Sequence, residues 1–150
     1  MLPLDAGFAR LEGTYVGTMF FHDQFKKKDL EMPIQVRFAE GIYDTKYRFA
    51  PPKYSWSVDA IDISEDGTQW IERNLEEKFI FKLKNWTDFR SGRSEWFEIE
   101  RPQITRNFIG TFRRRWTIRA DGELISEKWL KANSTTEWEV SHRMVLRRSE

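Results

Sequence analysis

The chain contains no cysteine. That removes any disulfide framework, any thiolate nucleophile and any thiolate metal site, and it fits a reducing compartment. Histidine is scarce too, with only His22 and His142, and their positions make no recognisable zinc set with nearby carboxylates, so no metal site is expected. An excess of charge of either sign is missing: 25 Lys and Arg stand against 24 Asp and Glu, a formal net charge of +1. There is therefore no bulk electrostatic case for a nucleic-acid partner or an acidic membrane. No window approaches a membrane span, and the opening MLPLDAGFARLEG lacks both a basic n-region and an apolar h-region. The expectation is a mature, untargeted, cytoplasmic protein. A phosphate-cradling Gly-rich loop, a nucleophile elbow, a fixed-period repeat and a Pro/Gly/Ser-rich linker are all lacking. A chain of 150 residues with no such linker fits one domain, residues 1–150.

Aromatic residues are what the chain has in excess. Seven Trp and twelve Phe exceed what a minimal core demands, so something wide and apolar is being lined or filled. The pattern that carries them is period two. The longest clean run is Asn107 to Arg119, NFIGTFRRRWTIR, with Phe108, Gly110, Phe112, Trp116 and Ile118 on one side and mostly polar residues on the other. Arg114 breaks the rule. It falls on the apolar side, where an unpaired guanidinium is costly, so it calls for a buried acidic partner or an anionic ligand.

Taken in order, residues up to Arg10 read as a short helix or plug anchored by Phe8. Strands follow at Leu11 to Phe21, Pro33 to Ala39, Ile42 to Phe49, Tyr54 to Ile63, Thr68 to Leu75, Lys78 to Lys84 and Glu95 to Glu100, then the Asn107 to Arg119 run, Glu123 to Lys131 and Thr136 to Arg147. The first strand has aromatics on both faces, which leaves its inward side open. His22 to Glu31, with Lys26 to Lys28, reads as a solvated loop, Pro51-Pro52 as a stop, and Trp86 to Arg93 as a loop. Regular strand spacing, short sequential turns and the lack of an amphipathic helix predict an all-β fold, a single antiparallel up-and-down barrel of about 8–10 strands. Closure would also remove exposed sheet edges.

Turn chemistry predicts cross-strand pairs. A two-residue turn at Asp66-Gly67 pairs Ala60 with Arg73, Asp62 with Ile71 and Ile63 with Trp70. A two-residue turn at Asp121-Gly122 pairs Trp116 with Glu127 and Arg114 with Trp129. A turn at Asn133-Ser134 then pairs Trp129 with Trp138 and Ile125 with His142. These registers gather Arg114, Glu127 and His142 on one face among Trp116, Trp129 and Trp138, and a one-residue slip in either turn would turn a strand over.

Three readings fit such a face. Arg114 and Glu127 form a structural ion pair with His142 hydrogen-bonded beside it. Alternatively Arg114, with Arg73, receives the anionic or carbonyl end of a ligand whose apolar body lies against Phe112, Trp116, Trp129, Trp138 and Tyr15. In the third, the cavity is that of a small isomerase, cyclase or dehydratase, with Glu127 and His142 as acid and base and Arg114 steadying an oxyanion. No cofactor is indicated, although one axial imidazole, His142, would suffice for a haem. Arg113, Arg115 and Arg119 form an outward basic stripe, read as solvated surface.

Gly13-Thr14-Tyr15 opens the first strand, and Ser141 to Arg148, SHRMVLRR, closes the last with a basic run. In these two features, and in the meander between them, the chain resembles the calycin group: the lipocalins, the fatty-acid-binding proteins and their bacterial lipocalin-like relatives. Tyr15 stands where that group carries Trp, and no helix pair follows the first strand, which points to the looser bacterial set. The resemblance implies a closed barrel with an internal cavity for a small, mostly apolar molecule. It further implies that a late-strand arginine takes a ligand carboxylate. Arg114 lies in such a strand, and Arg143 matches the final-strand arginine by context although its parity points outward.

Overall fold

The computed structural model describes residues 6–23, 28–39, 41–50 and 53–149. Lys26, Lys27 and Pro51-Pro52 lie outside the described residues. Period-two stretches become strands as expected: β1 (Gly13–Asp23), β2 (Lys28–Ala39), β3 (Ile42–Ala50), β4 (Lys53–Ile63), β5 (Gln69–Arg73), β6 (Lys78–Lys84), β7 (Trp96–Thr105), β8 (Phe108–Ile118), β9 (Glu123–Ala132) and β10 (Glu139–Arg148). Each pairs antiparallel with its sequence neighbour, and β1 pairs with β10, so the sheet closes as an all-β barrel. Two short helices complete it, α1 (Ala6–Leu11) and α2 (Trp86–Arg90). No helix among the described residues is long and apolar enough to cross a membrane.

Two elements depart from expectation. Of the stretch His22 to Glu31, the described residues, 22–23 and 28–31, are strand, because β1 and β2 run in register from Gly13↔Phe38 to Asp23↔Lys28. The stretch expected as a loop after β6 contains α2, whose Trp86 and Phe89 are buried.

Register decides what enters the barrel, and it turns on a few backbone details. Between β4 and β5, Asp66 accepts from the Ser64 and Thr68 hydroxyls at 2.7 Å each and from the Thr68 N–H at 3.1 Å, with Gly67 at φ +72°. The result is the expected pairing of Ala60 with Arg73, Asp62 with Ile71 and Ile63 with Trp70. Between β8 and β9 the turn holds three residues, not two. Arg119 N–H reaches Glu123 O at 2.8 Å, Gly122 N–H returns to Arg119 O at 2.9 Å, and Gly122 takes φ +88°, the left-handed residue that such a turn needs. Arg114 therefore faces Lys128, and Arg115 faces Glu127. The extra residue turns β9 over.

A second irregularity lies between Val140 and His142, where the β9–β10 register shifts by one residue at Ser141. Such a bulge reverses parity along a strand. His142 consequently shares the inward face with Met144 and Leu146, whereas Val140 is exposed.

The interior is divided along the barrel axis. At one end α1 and α2 cap it with Phe8, Leu11, Trp86 and Phe89, packed on Trp70, Phe97, Phe38 and Tyr15. Ring pairs lock this end, with Trp86 edge-on to Phe97 at 4.9 Å and Trp70 stacked on Phe97 at 5.4 Å. Arg10 ties α1 to α2 and to the loop after it, donating to Phe89 O of the helix and, at 3.0 Å, to Ser94 O of the loop. The short plug expected near Phe8 is thus a built lid. β1 presents Tyr15, Met19 and Phe21 inward, which answers the question its sequence left open.

Candidate ligand cavity

Beyond this packed end the barrel opens into a cavity of about 530 Å³. Its apolar wall comes from alternating inward positions: Met19 and Phe21 of β1, Met32 and Ile34 of β2, Phe79 and Phe81 of β6, and Ile99, Phe112 and Met144. Its polar groups come from the same alternation in strands that carry a charge where an apolar residue is expected: Tyr43, Asp59, Glu72, Arg101, Arg114 and His142. Lys128 faces the same interior, opposite Arg114 on one side and His142 on the other, with its Nζ 5.2 Å from the Phe112 ring.

Among the described residues these charged groups form no direct ion pair, although Glu72 lies in the field of Arg114 and Arg101. Arg114 donates to the Tyr43 hydroxyl at 3.4 Å, and its guanidinium lies 5.7 Å from the rings of Phe112 and Trp116. Arg101 lies over Phe79 at 4.3 Å and donates to Pro102 O at 3.3 Å. The Nε atoms of both arginines are buried without a hydrogen-bond acceptor. Among the described residues, none of Arg101, Arg114 and Lys128 has a carboxylate within ion-pair distance. Glu72 accepts instead from Trp70 Nε1 at 2.8 Å.

Burial and the cation cluster set the protonation states. Lys128 is pushed down to about 8 by burial, with Arg114 and Arg101 adding to it. His142 is pushed down to about 3 by burial, then by Arg114 and Lys128, so its imidazole is neutral. Burial raises the carboxyls of Glu72 and Asp59 above their ordinary values and the Tyr43 hydroxyl to about 12. The cavity therefore offers Arg101, Arg114 and Lys128 beside the carboxyls of Glu72 and Asp59, a neutral imidazole and apolar walls. That combination suits an anionic group on an apolar body.

The residues singled out in the sequence divide accordingly. Arg114, Phe112 and His142 line the cavity. Trp116 is buried in the packed layer, edge-on to Phe38 at 5.3 Å and to Tyr43 at 5.7 Å. Tyr15 lies in the closed end, its hydroxyl donating to Leu11 O at 2.8 Å. The expectation that Glu127 joins Arg114 and His142 is corrected by the three-residue turn. Glu127 is on the outer face, in register between Arg115 and Arg143, so the ion pair and the acid/base trio built on it do not assemble. Trp129 turns outward with it, opposite Arg113, and Trp138 lies outside under the Arg113 guanidinium at 4.0 Å. Arg73 is exposed, because its register pairs it with Ala60 on the outer side. Arg143, as its parity indicated, is exposed too. The outward basic stripe is largely paired, with Arg113 bonded to Glu100 at 3.2 Å and Arg115 to Glu98 at 2.6 Å.

Tyr43, Glu72, Arg101 and Lys128 were not singled out by the sequence. Lys128 would follow from the correct turn length, and Arg101 from carrying β7 one step past Glu100 towards Pro102.

No protein-family profile and no curated protein matches the sequence. Among solved structures the chain is similar to the crystal structure of Rv2717c from M. tuberculosis, with a TM-score of 0.62 and 13% identity over 100% of this chain and 99% of that one. At that identity the likeness is one of fold alone.

Proposed function

We propose that the barrel binds a small, mostly apolar molecule by an anionic or carbonyl end, as a calycin-like carrier would. The observation that supports this best is the pair of buried, acceptor-free Nε atoms of Arg114 and Arg101, set in a cavity whose cations, among the described residues, form no direct ion pair although the Glu72 carboxyl lies within their field. Leaving charged donors unsatisfied is costly, and a ligand carboxylate would satisfy both and offset the local charge. The apolar body would lie along Met19, Phe79, Phe81 and Phe112. Contact between the two ends of the calycin-like pattern supports the same reading. Arg148 donates to the Tyr15 hydroxyl at 2.8 Å and lies 5.3 Å over its ring, tying the last strand to the first. Titration with medium-chain fatty acids and aromatic carboxylates, followed by tryptophan fluorescence, tests the proposal. A saturable change is expected, and its absence across both classes would overturn it.

A second reading is favoured by His142. A neutral imidazole on the cavity wall is the form that ligates iron, and Arg101, Arg114 and Lys128 are suited to the carboxylates of a tetrapyrrole. His142 would hold the iron of a haem, and that iron would supply redox and gas-binding chemistry. Addition of hemin with and without His142→Ala separates the two readings, because only a ligated haem gives an absorption spectrum that the substitution alters.

A further inference from the structure

Lys128 has a position that anion binding alone does not use. Three adjacent strands place it between Arg114 of β8 and His142 of β10, all facing inward, so its neighbours across both ladders are a fixed cation and a neutral ring. Directly opposed side chains in such ladders have their Cβ atoms about 5 Å apart. Among the described residues Lys128 makes no ion pair that would hold its proton, and its Nζ lies 5.2 Å from the ring of Phe112, a cavity residue. A lysine desolvated beside other cations is the arrangement that exposes an amine lone pair at neutral pH.

We propose that Lys128 captures the carbonyl carbon of the ligand as a Schiff base, so that the cavity takes aldehydes or ketones that also carry a carboxylate or comparable anion. This rests on the anion-binding reading, since Arg114 and Arg101 hold the anionic end while Lys128 meets the carbonyl. The neutral Nζ adds to the carbonyl carbon, and one nitrogen proton passes to the oxygen to give a carbinolamine. The hydroxyl then leaves as water, taking the second nitrogen proton, and a carbon–nitrogen double bond remains. Amine and carbonyl thus give imine and water, with no oxidant or reductant, and hydrolysis releases the ligand unchanged. The lowered proton affinity of Lys128, to about 8, supports the first step, since a useful share of the amine is neutral near physiological pH. An iminium among cations is unfavourable by itself. The ligand's own anion offsets it, which is why the two functional groups are expected on one molecule.

The test uses 4-carboxybenzaldehyde with cyanoborohydride, followed by peptide mapping for lysines carrying one carboxybenzyl group. Binding is followed separately by tryptophan fluorescence with 4-carboxybenzyl alcohol, which cannot condense. Label is expected on Lys128 roughly tenfold faster than on surface lysines, saturating with aldehyde and suppressed by the alcohol. Lys128→Arg is expected to lose that label while still binding the alcohol. Saturable alcohol binding with label spread evenly over the lysines would overturn the Schiff base and leave the anion site standing. Absence of saturable binding would overturn both.

Discussion

Arg114 of β8 and Tyr43 of β3 meet across the barrel, the guanidinium donating to the hydroxyl at 3.4 Å. On one side of this contact lie the Trp116 and Phe38 rings and the helical cap; on the other lies the cavity. The guanidinium is held by a single long bond to a neutral group and keeps a buried Nε free. The anionic end of the proposed ligand would give that Nε its acceptor.

The lid should be intolerant of added volume. A Cβ on Gly7 would stand 2.6 Å from the Trp86 ring, which is itself packed on Phe97 and Phe89. Overpacking of this kind costs about 1–3 kcal/mol. Gly7→Ala is expected to lower the melting temperature by several degrees, read by circular dichroism. A melting curve identical to that of the wild type would mean that α1 does not seat on Trp86.

Turn length between β8 and β9 can be checked through Glu127. Because it faces outward, Glu127→Gln should leave ligand affinity unchanged and alter stability by no more than about 0.5 kcal/mol, as for an ordinary surface position. A large loss of affinity in Glu127→Gln would restore the two-residue turn and an inward carboxylate.

How much was legible beforehand follows from these details. Alternation marked all ten strands, and the Asp66-Gly67 turn set its register correctly because a longer loop there keeps the same parity. Arg114 was found because it interrupts an otherwise apolar face. The β9 face was misread because an Asp-Gly pair serves a two-residue turn and a three-residue turn with left-handed glycine equally well, and the two differ by one residue in parity. The bulge at Ser141 then brought His142 inward by a route that no turn signal announces. Lys128, Arg101 and Glu72 escaped notice because charge on a half-polar strand ordinarily reads as solvent-facing.

Acid sensitivity should carry the signature of His142. Its ordinary value is 6.5, and burial with Arg114 and Lys128 lowers it to about 3 in the folded protein. Between those values the unfolded chain takes up a proton that the folded chain refuses. The His142 contribution is therefore complete above pH 6.5 and is lost as pH falls towards 3. Glu72 and Asp59, whose carboxyls are raised by burial, act in the opposite sense, stabilising the fold as they are protonated. Comparing urea denaturation of the wild type and His142→Gln across this window cancels the carboxyl effects. The wild type is expected to lose stability more steeply on acidification, and parallel curves would place the imidazole in solvent.

The central claim is that ligand charge is met inside the barrel by Arg114, and calorimetric titration of one carboxylate ligand against Arg114→Ala and Arg73→Ala tests it most directly. Loss of a charge-assisted hydrogen bond of about 1.5–3 kcal/mol predicts a drop in affinity of roughly 10- to 100-fold in Arg114→Ala. The exposed Arg73 should be replaceable without effect. Equal affinities in the two variants, or a loss confined to Arg73→Ala, would contradict the account.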